Sequence, residues 1–134
     1  MRTLPTPADM PECAGISLGG CVNGRRFRRV AHAHNAPSRP HYYGWICFLS
    51  AKPDRVYRAD GTPSATLYHE YAHLLAPGRG HSAEWMRAMI RLGQVVPFHY
   101  ERMAPKAWRE VFGRSRTPRG VMLAYQREMA SASA

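Results

Sequence analysis

The chain is poor in cysteine, poor in acidic residues and poor in uninterrupted apolar sequence. Each shortage removes a class of protein. Three cysteines, Cys13, Cys21 and Cys47, cannot build the framework of a small disulfide-stapled domain, and an odd count fits a reducing compartment. Two of them lie near His32 and His34 in sequence, which suggests a second metal site. The spacing matches no compact zinc pattern, however, and ordinary buried or free thiols are the expectation. No run of 18 apolar residues occurs, so no membrane-spanning helix is expected. The opening MRTLPTPADMPECAG is broken by Pro5, Pro7, Asp9, Pro11 and Glu12, so it does not read as a secretory signal. A cytoplasmic protein without a membrane partner is expected.

Only nine Asp and Glu stand against nineteen Lys and Arg, a formal net charge of +10. Such a field favours phosphate-rich or acidic partners, and nucleic acid bound through it would be released by salt. All of these cations except Lys52 and Lys106 are arginines. They are spread along the chain apart from one dense group, Arg25, Arg26, Arg28 and Arg29. A genome-wide preference for arginine would produce the same excess, so the basic surface is a candidate nucleic-acid contact and no more.

With 134 residues the chain suits one domain with a real core. Residues 1–15 read as an extended arm, 16–130 as a single domain and 131–134 as a frayed tail. Asn23-Gly24 between two β-prone stretches predicts a tight hairpin turn. YYGWICFLS at 42–50 is the strongest strand. Asp60-Gly61-Thr62-Pro63 predicts a helix start, with Thr62 as cap and Pro63 first in the helix. The helix should run to Ala76 and stop at Pro77-Gly78, burying Leu67, Tyr71, Leu74 and Leu75. A second helix is expected from about Ser82 to Gly93, an extended VVPFHY after it, and helices over 105–112 and 118–129. Strands first and helices after indicate an α+β domain.

The chemistry concentrates in HEYAHLLAPGRGHSAEW at 69–85. His69 and His73 are one helical turn apart, so both can reach a single zinc ion about 2.0–2.1 Å from their ring nitrogens. Glu70 projects beside that pair, placed to take a proton from a water on the ion without being a ligand. A catalytic zinc needs a third protein ligand and an open fourth position. His81, reached after Pro77, Gly78 and Gly80, is the favoured third ligand; Glu84 competes. Two readings stand beside catalysis: surface histidines flanking an ordinary carboxylate, and zinc held for structure or binding. His99, Tyr100 and Arg102 are available as oxyanion donors, although each has a structural explanation. Trp45, Trp85 and Trp108 read as core.

HEYAHLL, a Gly-containing turn, GHSAEW and an amphipathic helix ending in LG together resemble the SprT-like (Spartan-type) zinc metallopeptidases. The likeness covers about residues 24–93 and is specific only over 69–85. GWICFLS resembles the family's strand before the active-site helix, and the Arg-rich 25–29 stretch its preceding basic segment. The resemblance implies a small zincin-like domain with a short N-terminal β-sheet or hairpin, an active-site helix and a second helix. It makes His69, His73 and His81 zinc ligands, Glu70 the general base, and a protein or peptide the substrate. No Cys-rich zinc ribbon follows and the usual N-terminal helix is not recognisable, so DNA–protein crosslink repair is not implied. The 44–50 strand is expected to line the cleft as an exposed edge to which substrate adds.

Overall fold

The computed structural model describes residues 1–114 and 117–133. Its contacts divide the chain into two compact units, residues 1–78 and 79–134. Among the described residues no helix is long and apolar enough to cross a membrane.

The first unit is a four-stranded mixed sheet with one α-helix and a short 3-10 turn at Pro53–Arg55. Its strands are β1 (Arg2–Leu4), β2 (Gly15–Leu18), β3 (Ala31–Ala33) and β4 (Trp45–Phe48), in the order β1-β2-β4-β3. β2 and β4 run parallel, with Ile16 opposite Ile46, Ser17 opposite Cys47 and Leu18 opposite Phe48. β3 pairs antiparallel with β4, setting His32 opposite Cys47. Because strand side chains alternate, this register sorts the sheet into two chemically distinct faces. Ile16, Leu18, Ala31, Ile46 and Phe48 form one, and all five are buried. Ser17, Cys47 and His32 share the other.

Several sequence expectations shift here. In the 1–15 segment Arg2–Leu4 is paired with β2, the chain turns at 7–10 and 10–13, and Met10 and Cys13 are buried. Tyr71 donates a hydrogen bond to the Glu12 carboxylate, and Tyr57 Oη donates to the Pro5 carbonyl at 2.5 Å. The Asn23-Gly24 turn forms, with Gly24 N donating to Cys21 O at 2.9 Å. It does not join a hairpin, because β4 inserts between the strands on either side of it.

Helix α1 (Ala65–Leu75) packs against β3 and β4 and buries Leu67, Glu70, Tyr71, Ala72 and Leu74. Leu75, expected in the stripe, is exposed. The helix begins later than Thr62-Pro63 suggested because that pair is used in the preceding turn. Thr62 Oγ1 and N both bond Asp60 Oδ1, and Pro63 bridges to Tyr57. Ser64 becomes the cap instead, its hydroxyl accepting from Leu67 N at 3.1 Å. Ala76 closes the helix before Pro77-Gly78, where φ of 136° at Gly78 suits a residue without a side chain.

The second unit is helical. Ser82 caps α2 (Ala83–Arg91) by accepting from Trp85 N at 3.2 Å. α3 (Tyr100–Met103), α4 (Pro105–Phe112) and α5 (Pro118–Ser133) follow. α2 packs on α4 and α5, burying Trp85, Met86, Met89, Ile90, Trp108, Val111, Phe112 and Ala124. The expected extended VVPFHY pairs with no strand: Val96 N donates to Tyr125 Oη at 2.8 Å, and Phe98-His99 turn into α3. The last helix runs through residues 131–133, where fraying was expected, and Ala134 lies outside the described residues.

Candidate metal centre

α1 carries the H-E-x-x-H residues with its apolar side turned to the sheet. His69 and His73 are half-buried, their rings edge-on with centroids 5.1 Å apart. Their donor nitrogens lie within 4.8 Å of one another. A modest rotation of either ring lets one ion take both at about 2.0–2.1 Å, so the pair fits zinc.

Glu70 sits on the core-facing side, only 7% exposed. Burial pushes its carboxyl up from the ordinary 4.5 to about 8, while the Arg29 guanidinium pulls it down. A divalent cation nearby would reverse that balance and restore the carboxylate.

A residue with no motif signature steadies the end of this helix. Asn35, in the NAPSRPH loop, donates from Nδ2 to the carbonyls of His73 at 3.2 Å and Gly78 at 3.4 Å. Helix ends leave such carbonyls without intrahelical partners, so a side chain that reaches them fixes the last turn. The contact joins residues 38 apart in sequence, and local spacing carries no sign of it.

His81 belongs to the second unit. Its ring stands edge-on to Trp85 with centroids 4.5 Å apart and tilts against Tyr100 at 4.7 Å. Tyr100 Oη lies 3.4 Å from His81 Nε2. Since Trp85 and Tyr100 are both buried, they hold the imidazole in one orientation. Ser82 immediately after it begins α2, which fixes the backbone too. Glu84, the rival ligand, is exposed on the first turn of α2. Of the three oxyanion candidates, His99 and Arg102 are exposed, and Tyr100 is occupied in packing His81.

The expected exposed strand is not at an edge. β4 is paired on both sides, by β2 and β3, and the sheet's edges are β1 and β3. Its aromatic and β-branched composition, WICF, reflects a central strand buried by neighbours, which a sequence cannot distinguish from a cleft-lining edge.

A second set of donors gathers in the first unit. Cys21, His32, His34 and Cys47 bring one ligand atom each to within 4.8 Å of all the others. Burial lowers the ring pKa of both histidines, His32 to about 4, helped by the neighbouring His34 and Arg29. The spacing of these four residues along the chain matches no compact zinc pattern, so the group is visible only in the folded sheet. Comparison with known protein families, characterised proteins and solved structures yields no match.

Proposed function

We propose that the chain is a zinc-dependent peptidase in which His69, His73 and His81 hold the metal and Glu70 is the general base. The observation that carries this reading is the placement of the whole H-E-x-x-H sequence on α1. His69 and His73 share a face with their rings edge-on, and a carboxyl sits between them in the chain on the buried side. His81, eight residues after His73, completes the donor set. The Pro77-Gly78 and Gly80 backbone gives the chain freedom to turn back towards α1.

When bound by His69, His73 and His81, zinc would supply Lewis-acid polarisation of the scissile carbonyl and lower the pKa of a water towards about 7. Glu70 then accepts the water's proton on its carboxylate and passes it to the leaving amine. Tyr100 and Trp85 orient His81, as outer partners of a metal-bound imidazole do. β3 replaces β4 as the strand to which an extended peptide adds. It is an edge, and α1 packs against it. Arg25, Arg26, Arg28 and Arg29 are all exposed on the loop before β3, which favours substrates associated with nucleic acid.

The alternative is a basic zinc-containing binding or structural protein that cleaves nothing. Glu70→Gln separates the two. Cleavage of a casein-type substrate should fall by about 10²–10⁴-fold in that variant, with zinc content and any DNA binding preserved. Wild-type cleavage by the variant, or no cleavage by the zinc-loaded native protein, would refute the peptidase reading.

A further inference from the structure

We propose that Cys21, His32, His34 and Cys47 form a second, closed zinc site that pins the arginine-rich loop to the sheet. This site is separate from the H-E-x-x-H centre and does not depend on the peptidase reading.

Three chain segments deliver the four ligands. His32 and His34 are two residues apart on extended backbone, so both project from the same face of the sheet. Cys47 lies directly opposite His32 across the β3–β4 ladder. Cys21 arrives from the segment following β2 and is buried. The ligands are therefore 11, 2 and 13 residues apart along the chain, yet adjacent in the sheet. Pairing across strands does the work that a compact Cys-x-x-Cys turn does in smaller zinc sites.

The distances discriminate between zinc and a chance cluster. With Zn–S near 2.3 Å and Zn–N near 2.0–2.1 Å, a regular tetrahedron has edges of about 3.8 Å for S···S, about 3.6 Å for S···N and about 3.3 Å for N···N. Cys21 Sγ and Cys47 Sγ are 3.9 Å apart. His34 Nε2 is 3.3 Å from Cys21 Sγ and 3.5 Å from Cys47 Sγ. His32 Nε2 and His34 Nε2 are 3.3 Å apart. Four edges thus agree with the tetrahedron to within about 0.3 Å, within the scatter that ligand bond lengths allow. The remaining two, from His32 to each sulfur, are no longer than 4.8 Å.

A disulfide does not explain the same atoms, because a bonded pair of sulfurs is about 2.05 Å apart and both thiols are free. Nor does ordinary core packing, since it gives two imidazoles no reason to aim the same nitrogen at one point between two sulfurs. Two thiolates and two imidazoles in tetrahedral array select zinc among common cations. Four protein ligands leave no open position, so the site is structural.

Its position says what it holds. α1 packs against β3 and β4, and the loop at 19–30 lies against the side bearing Ser17, His32 and Cys47, where Ser17 Oγ donates to Gly20 O at 2.8 Å. That loop reaches the sheet through Cys21 and through Phe27, whose ring stands edge-on to His32 with centroids 4.3 Å apart. Arg25, Arg26, Arg28 and Arg29 are carried between these two anchors and just beyond them, so metal binding presents them as one fixed patch.

Cobalt substitution tests the site in the reduced full-length chain, with Co²⁺ alone as probe. A thiolate-to-cobalt charge-transfer band together with intense tetrahedral d–d bands should develop, the sulfur band saturating within two equivalents per chain because the H-E-x-x-H centre takes cobalt without adding to it. The H-E-x-x-H centre has no thiolate, so His69→Ala/His73→Ala should leave the charge-transfer band unchanged, as should Cys13→Ser. Cys21→Ser and Cys47→Ser should each weaken or abolish it, while His32→Cys should keep a tetrahedral spectrum with a stronger sulfur band. Because the native protein is titrated directly, misfolding of a variant does not rescue the idea. Cobalt binding without a sulfur band in the native chain overturns it, as does a band that survives in Cys21→Ser/Cys47→Ser.

Discussion

A carboxyl group on the core-facing side of a helix is held at a cost, and Glu70 shows where that cost appears. Its side chain is ordinarily ionised above pH 4.5, but burial keeps it protonated in the folded, metal-free protein up to about pH 8. Between those values the folded state binds more protons than the unfolded state. Stability therefore falls as pH rises through this window, and the contribution is gone above about pH 8. Metal-free Glu70→Gln should consequently melt at a higher temperature than the metal-free native protein at pH 8, and the gap should shrink towards pH 5. Parallel melting curves across that range would show that the carboxyl is better solvated than its position indicates. At this scale the sequence was informative for His69, Glu70 and His73, because helical spacing alone places residues four apart on one side. It was silent on Asn35, whose partners are the distant carbonyls of His73 and Gly78.

Elements depend on single residues in ways that are also open to test. Gly15 begins β2 opposite Trp45 on β4, and a Cβ there would meet the Trp45 ring carbons at 2.5 Å. Backbone atoms of two paired strands cannot retreat far, so the indole would have to leave its place over the strand. Gly15→Ala should cost about 1–3 kcal/mol, the usual penalty for overpacking. Thermal unfolding followed by circular dichroism should show a drop of several degrees per kcal/mol. An unchanged melting temperature would mean that Trp45 moves freely. Helices were more legible than strands because capping is local: Ser82, Pro105 and Pro118 mark their starts within a few residues. Strand order is not local. YYGWICFLS announces a strand, but nothing within it says that β2 and β3 flank it, and only that pairing turns an expected edge into the centre of the sheet. The same long-range register brings Cys47 to His32, which is why the second donor set had no spacing signature to find.

At the scale of the molecule, the α+β composition followed from the order of strand-like and helix-like stretches, and the structure has four short strands and then its helices. The densest basic group in a chain of net charge +10, Arg25, Arg26, Arg28 and Arg29, lies on the exposed loop that runs into β3 and on to His34 and Asn35. That arrangement gives the hydrogen bond from Asn35 a wider meaning. Asn35 directly follows His34, a proposed ligand of the sheet zinc, and holds the carbonyl of His73, a proposed ligand of the helix zinc. This contact offers a route by which the two proposed ions could be coupled, and any free energy the first contributes to the affinity of the second, the second returns to the first. Emptying the sheet site by Cys47→Ser should loosen zinc at the H-E-x-x-H centre by roughly 5-fold or more, the lower end of ordinary coupling energies, in a chelator competition. Asn35→Ala should make the two affinities additive, and equal coupling with and without the Asn35 amide would locate the connection elsewhere. The two metals would then act as a cooperative pair, in which scarcity of zinc is felt at both sites together.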